Sequence, residues 1–152
     1  MPKSWKDSFP NLVTWVKSSD PSDVYNCTAF AAGDKSRWWD PSPPAILYYW
    51  PTGARKGFEL VCFIEAYQTI GYEICADGSL DPSCDKIVLY ADRYGFVHHV
   101  ARQLPDGKWT SKLGPNEDII HDTPECLACD DYGHPACFMH RHIQMGATVV
   151  WS

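Results

Sequence analysis

The sequence has no run of lysine or arginine, and its 13 basic residues against 19 acidic ones give a net charge of −6. A nucleic-acid backbone would meet little positive charge on such a chain, so nucleic-acid binding is not expected. No stretch approaches the roughly 18 consecutive apolar residues that span a bilayer, so no membrane association is expected. The first residues lack the apolar segment of a secretion signal, which predicts a cytoplasmic protein.

The length of 152 residues predicts one domain that covers residues 1–152, because the sequence contains no repeat and no long linker. Aromatic residues are abundant, at 14% of the chain with seven tryptophans. Rings at this density indicate either an aromatic core or a ring-lined cleft, of which the core is the more common use.

Local patterns predict helices in the first half of the chain and strands in the second. Gly71 ends the best amphipathic helix pattern, and Pro105, Asp106 and Gly107 form a hairpin turn. Helices followed by an antiparallel sheet give an α+β fold. The predicted helices cover 11–17, 25–33, 58–70 and part of 116–128, and the predicted strands cover 86–91, 96–104, 108–114 and 148–151.

Cys27 is the best candidate for a nucleophile. It lies where the second helix is predicted to begin, with Asn26 as its capping residue. The N–H groups of a first helical turn stabilise a thiolate and hold a developing oxyanion, so we expect a lowered thiol pKa. The alternative is that Cys27 is a small buried side chain without chemistry, as many cysteines are.

Two histidines, His98 and His99, lie within the strand predicted over 96–104. Successive strand residues point to opposite faces, so only one of the two can face the helix that carries Cys27. On the His99 face the next residue is Ala101, which is small enough to let a helix approach closely. This favours His99 as the base.

These features resemble the papain-like cysteine hydrolases of the NlpC/P60 and CHAP type. The shared features are Asn26-Cys27 opening a helix of small residues, a strand that reads His99-Val-Ala-Arg, and a hairpin return. The resemblance covers roughly residues 25–114. It implies N-terminal helices packed on an antiparallel sheet, with Cys27 as the nucleophile, His99 as the base and a polar residue on the return strand, here Ser111, orienting the imidazole.

The activity that the resemblance implies is that of a cysteine amidohydrolase or peptidase. Such an enzyme cleaves an amide or isopeptide bond in a peptide or another amide-containing substrate, and it requires no cofactor for catalysis. Two alternatives stay open, a non-catalytic binding module and a zinc-stabilised interaction protein. The binding module would use a groove lined by Trp38, Trp39, Tyr48, Tyr49 and Trp50.

The residue that orients His99 depends on the hairpin turn. A two-residue turn puts Lys112 on the His99 face, whereas a three-residue loop with a glycine bulge pairs Ala101 with Ser111. The spacing in the resembled family favours Ser111. Asp118 or His121 takes this role only if the chain folds back after the return strand.

The segment 126–142 is rich in cysteine and histidine. Cys126 and Cys129 form one pair with two residues between them, and Cys137 and His140 form another. Two short-spaced pairs are typical of a tetrahedral structural zinc site, so a zinc ion bound by these four residues is predicted. The alternatives are reduced cysteines without metal and a disulfide elsewhere, between Cys75 and Cys84. The absence of any His-x-Glu sequence excludes the zinc deaminase signature.

Overall fold

One antiparallel β-sheet of seven strands organises the part of the chain that the structure describes. The structure is a computed structural model, and it describes residues 9–20, 22–42, 47–113 and 117–143. The order of strands across the sheet is β1-β6-β5-β4-β3-β7-β2, and the fold is of the α+β class, as the sequence predicts. The strands are β1 (Trp15–Ser19), β2 (Glu73–Cys75), β3 (Cys84–Ala91), β4 (Val97–Gln103), β5 (Trp109–Lys112), β6 (Asp118–His121) and β7 (His134–His142).

Two short α-helices, α1 (Cys27–Ala31) and α2 (Leu60–Gln68), accompany the sheet, and a 3-10 helix spans Pro124–Leu127. The side chain of Asn26 caps α1 by accepting a hydrogen bond from the Ala29 N–H at 3.1 Å. Gly33 follows the end of α1 with a φ of 84°, a conformation that glycine adopts at little cost. The predicted start and end of this helix are both confirmed.

The two faces of the sheet carry separate cores, because successive residues of a strand point to opposite faces. We name them the helix-side cluster and the far-side cluster. Both helices pack in or beside the helix-side cluster, so they cover one face of the sheet. The helix-side cluster contains Ala31, Phe63, Tyr67, Ile87, Leu89, Val97 and Val100, and the far-side cluster contains Phe9, Val88, Tyr90, Ala101, Trp109, Ile119 and Leu127.

The hairpin between β4 and β5 has the three-residue loop that places Ser111 across from Ala101. Arg102 pairs with Thr110 in the ladder, and continuation of this register brings Ala101 and Ser111 opposite each other. Gly107 has a φ of 91°, as the bulge position of such a loop requires. The choice of the three-residue loop is therefore confirmed.

Two predicted elements differ from the structure. The helix predicted over 11–17 is wrong, because Trp15–Ser19 forms the edge strand β1 and pairs with β6. The predicted helix within 116–128 is replaced by β6 and a single 3-10 turn. Pairing with neighbouring strands overrides a weak local helix preference in both places. The closing strand predicted over 148–151 lies outside the described residues.

Among the helices in the described ranges, none has the length and apolar character that crossing a bilayer requires.

Candidate active site

Cys27 is the first residue of α1 and is partly exposed. Its sulfur lies 3.9 Å from the Thr28 hydroxyl, and the backbone amide of Val100 on β4 acts to lower the pKa of the thiol. Burial nevertheless raises the pKa of the Cys27 thiol, and the hydrogen bonds offset this only in part. The lowered thiol pKa that the sequence suggested is therefore wrong, because the desolvation of the sulfur outweighs the local N–H groups.

Asn26 ties the start of α1 to the aromatic loop that follows. Besides capping the helix, its side-chain oxygen accepts from the Trp39 N–H at 3.1 Å, and its amide donates to the Trp39 carbonyl at 2.6 Å. The indole N–H of Trp39 in turn donates to Asp34 at 2.9 Å. The Asn26 side chain is 92% buried and fully engaged, so its role is to hold the backbone beside Cys27 in place.

His99 lies on β4 opposite Tyr90 of β3 and is only 1% exposed. Tyr90 and Ala101 belong to the far-side cluster, whereas Val100 and α1 residue Ala31 belong to the helix-side cluster. The His99 side chain therefore projects from the face opposite α1. The expectation that Ala101 makes room for the helix is wrong, because α1 packs over Val100 instead.

Two tyrosine rings pack against the imidazole of His99. Tyr132 stacks on one face with centroids 4.2 Å apart and planes within 5° of parallel, and Tyr90 contacts the ring with centroids 5.1 Å apart and planes at 61°. This burial, with a smaller contribution from His121, holds the pKa of His99 well below its usual value. The ring is therefore neutral at neutral pH.

A chain of hydrogen bonds runs from His99 to the backbone through two further side chains. Nε2 of His99 lies 3.0 Å from Oγ of Ser111, and that Oγ lies 2.8 Å from Nε2 of His121. Nδ1 of His121 lies 2.8 Å from the Thr123 carbonyl oxygen. Burial lowers the pKa of His121 to about 4. The chain does fold back after β5, and His121 reaches His99 through Ser111.

The Cys27 sulfur and the His99 ring are related through β4 and Tyr132. Val100, whose amide acts on the Cys27 thiol, directly follows His99 on β4, and Tyr132, which stacks on His99, lines the same cavity as Cys27. Nδ1 of His99 is buried and has no hydrogen-bond partner among the described residues. Within the described residues, no hydrogen bond joins the Cys27 sulfur to the His99 ring.

The other candidates for a role beside His99 have different surroundings. His98 is exposed and lines the same cavity as Cys27, and its Nε2 lies 2.8 Å from an Asp92 carboxylate oxygen. Lys112 is on the helix side, with its ammonium group 5.4 Å from the centre of the Tyr25 ring. Asp118 accepts a hydrogen bond from the Tyr25 hydroxyl at 2.8 Å. Neither Lys112 nor Asp118 orients the imidazole.

A cavity of about 270 Å³ opens at Cys27, and we name it the thiol cavity. Of the aromatic residues that the sequence suggested for a groove, Trp38 and Trp39 line it. Trp50 instead packs in the helix-side cluster against Phe63. The cavity lining is mainly apolar, with Trp38, Trp39, Pro41, Phe58, Phe63, Val97 and Tyr132 beside the polar groups of Asp40 and His98.

The four residues predicted to bind zinc are not brought together. Cys137 packs against the helix-side cluster and Cys129 against the far-side cluster. Cys137 and His140 lie on β7, where residues three apart point to opposite faces. Cys126 contacts the Thr123 hydroxyl at 3.4 Å.

Within the described ranges no group of three or more histidine, cysteine or acidic side chains is placed to bind a metal ion. The zinc site stays a prediction from the spacing, without support from the side-chain arrangement. All seven cysteines are free thiols, so the Cys75–Cys84 disulfide is not formed.

Sequence reasoning missed Tyr132, and it offered His121 only as an alternative that depended on the chain folding back after the return strand. Tyr132 lies in a tight turn that closes between Cys129 and Gly133 with two backbone hydrogen bonds, far from β4 along the chain. The signal for His121 was present, because Ile119 and Ile120 are β-branched residues that favour a strand after β5.

The fold and the site define an α+β protein with a partly exposed cysteine at a helix start and a buried, hydrogen-bonded histidine on an antiparallel sheet. Residues 16–140 match the family described as Domain of unknown function (DUF7689), and the chain belongs to that family. No curated protein and no solved structure matches the chain.

Proposed function

We propose that this chain is a cysteine amidohydrolase or peptidase with a papain-like core, in which Cys27 is the nucleophile and His99 the general base. The observation that carries the proposal is the state of His99. Its Nε2 is held by Ser111 at 3.0 Å, while its buried Nδ1 has no partner among the described residues. A buried acceptor left unpaired is costly, and in this proposal it takes the proton of the Cys27 thiol.

The arrangement of elements supports the papain-like part of the proposal. A cysteine opens a helix that packs on an antiparallel sheet, a histidine lies on a strand of that sheet, and the next strand returns with Ser111 on the histidine side. This is the order of elements that the NlpC/P60 and CHAP resemblance implies. The thiol cavity beside Cys27 supplies space for the acyl part of a substrate, and its apolar lining favours an apolar or aromatic side chain there.

The chemistry follows from two groups that are neutral at rest. As the Cys27 sulfur attacks the carbonyl carbon, its proton passes to Nδ1 of His99 and the carbonyl electrons move to oxygen. The resulting imidazolium then donates this proton to the leaving amine nitrogen as the C–N bond breaks, which leaves a thioester on Cys27. Water attacks the thioester with His99 again as base, and the carboxylic acid and the free thiol are released.

Acylation of the protein by p-nitrophenyl acetate, a small activated ester, tests the nucleophile and the base. We expect release of p-nitrophenol with transfer of one acetyl group to Cys27, located by mass spectrometry of peptides. Cys27→Ala removes this label, whereas Cys75→Ser, at another partly exposed cysteine, leaves it unchanged. A panel of peptide and isopeptide amides of a fluorescent amine then tests cleavage of the amide bond.

The base is tested with two histidines. His99→Gln lowers the acylation rate by about 100-fold or more, the usual effect of a lost general base, whereas His142→Gln, at an exposed histidine outside the lining of the thiol cavity, leaves it unchanged. If His99→Gln does not fold, Ser111→Ala is the milder variant and also slows acylation. Equal acetylation of several cysteines, or an unchanged rate in both variants, would contradict the proposal.

The ring-lined thiol cavity also favours a second candidate function, a binding module for apolar or aromatic ligands without catalysis. In that case the ligand contacts Trp38 and Trp39, and Cys27 only packs. Titration of tryptophan fluorescence with ligand amides separates the two functions. A pure binding module binds the same ligands with and without Cys27→Ala and is never acylated by an ester.

A further inference from the structure

The hydrogen-bond chain behind His99 has a fixed direction. It starts at the Thr123 carbonyl oxygen, which only accepts, and the partner at 2.8 Å is Nδ1 of His121. Nδ1 of His121 must therefore carry a proton. His121 and His99 are each only 1% exposed, and a buried imidazole in such surroundings is neutral and carries a single N–H.

The remaining protons follow one by one. Because Nδ1 of His121 carries the only ring N–H proton, its Nε2 is an acceptor, and the Ser111 hydroxyl at 2.8 Å donates to it. A hydroxyl has one hydrogen, so the Ser111 oxygen accepts from its other neighbour, Nε2 of His99 at 3.0 Å. Nε2 of His99 therefore carries the proton of that ring, and Nδ1 holds a lone pair.

We propose that His121 is a positioning residue that sets the tautomer of His99 through Ser111, so that Nδ1 of His99 is the proton acceptor. The role of that acceptor toward Cys27 rests on the proposed function, but the tautomer itself does not. In a hydrolase with this arrangement the wrong tautomer would present an N–H to the thiol instead of a lone pair. The base would then be lost without any change in the fold.

The residues around this hydrogen-bond chain help to keep the order of its donors and acceptors. Tyr132 stacks on one face of the His99 ring and Tyr90 packs against it at an interplanar angle of 61°, so these two contacts restrict tilting of the ring. The Tyr90 hydroxyl donates to the Pro124 carbonyl at 2.5 Å, which anchors the turn that also carries the Thr123 carbonyl. Tyr90 therefore contacts both ends of the hydrogen-bond chain. Its ring packs against His99, and its hydroxyl anchors the turn that carries the Thr123 carbonyl.

The test is nitrogen NMR of the full chain labelled with ¹⁵N-histidine at pH 7.5, with signals assigned by single His→Gln variants. We expect opposite tautomers, with the proton on Nδ1 in His121 and on Nε2 in His99. Free histidine carries its proton on Nδ1 less often than on Nε2, so the observation of an Nδ1 proton in His121 is informative by itself. A proton on Nδ1 of His99, or on Nε2 of His121, overturns the inference.

Two variants at position 121 separate positioning from packing. His121→Gln keeps an oxygen that accepts from Ser111, so His99 retains its Nε2 proton. His121→Leu removes the acceptor, the Ser111 hydroxyl turns to donate to Nε2 of His99, and the proton of that ring moves to Nδ1. Loss of the correct tautomer lowers the acylation rate by about 100-fold or more, while the glutamine variant stays near the parent rate. An unchanged tautomer in a folded His121→Leu overturns the inference.

If His121→Leu does not fold, Ser111→Ala provides the second measurement. The hydrogen bond from Nε2 of His99 to Ser111 is then lost, so the ¹⁵N signal of Nε2 of His99 should move. An unchanged signal would contradict the proposed hydrogen-bond chain. The two proposals fail separately. Correct tautomers without any acylation of Cys27 refute the hydrolase alone, and acylation with the opposite tautomers refutes the positioning role of His121 alone.

Discussion

Buried neutral histidines make the stability of a protein depend on pH, and His121 allows this effect to be worked out. Its pKa is about 4 in the folded chain and about 6.5 when unfolded. Between these values the unfolded chain binds a proton that the folded chain does not, so the free energy of unfolding falls as the pH falls. The contribution is fully present above pH 6.5 and is lost progressively down to about pH 4.

Over the window from pH 7.5 to pH 5, this one group removes about 2 kcal/mol of stability. His99, whose folded pKa lies well below 6.5 because of burial, changes the free energy of unfolding in the same direction over this window. The contribution of His121 alone is already a sizeable part of the 5–15 kcal/mol typical of a domain. The window stops at pH 5 because below it the carboxylates of the unfolded chain also begin to titrate.

The assay is equilibrium urea unfolding at pH 7.5 and pH 5, followed by tryptophan fluorescence in the presence of a reductant. With a slope near 2 kcal/mol per molar urea, the midpoint should fall by at least about 1 M. His121→Gln should reduce the difference in the free energy of unfolding between the two pH values by about 2 kcal/mol. An equal difference in the parent and in His121→Gln would refute the reasoning.

Three further changes test other parts of the structure. Gly133→Ala should lower the free energy of unfolding by about 3 kcal/mol or more, because φ is +78° and a Cβ there would lie 2.1 Å from a backbone oxygen. Gly95→Ala is the matched control, with φ +85° and no described atom within 4 Å of the added Cβ. It should lower the free energy of unfolding by only about 1–2 kcal/mol. Asn26→Ala should lower the free energy of unfolding by about 2–4 kcal/mol, because the helix cap is lost and two backbone groups are left unpaired. Urea unfolding midpoints measure the effects of Gly133→Ala, Gly95→Ala and Asn26→Ala. Because Cys129 and Cys137 lie on opposite faces, dialysis against a chelator should leave the melting temperature unchanged, and a clear drop would revive the zinc site.

The sequence alone predicts the elements that depend on neighbouring residues. The cap at Asn26, the glycine after α1 and the three-residue hairpin loop each depend on a few adjacent residues, and the structure has all three. The α+β class follows from the order of these patterns along the chain. The edge strand β1 fails as a prediction because its five residues gain their hydrogen bonds only from β6, a partner that no local pattern shows.

Only the tertiary structure decides the surroundings of the candidate site. The spacing Cys-x-x-His in 137–140 suits metal binding on a turn, but strand pairing puts these residues in β7 and separates their side chains. The return of the chain as β6 brings His121 to Ser111, and a distant turn places Tyr132 on the ring of His99. These contacts join residues far apart in sequence, and their energy comes from burial and pairing that exist only once the sheet has formed.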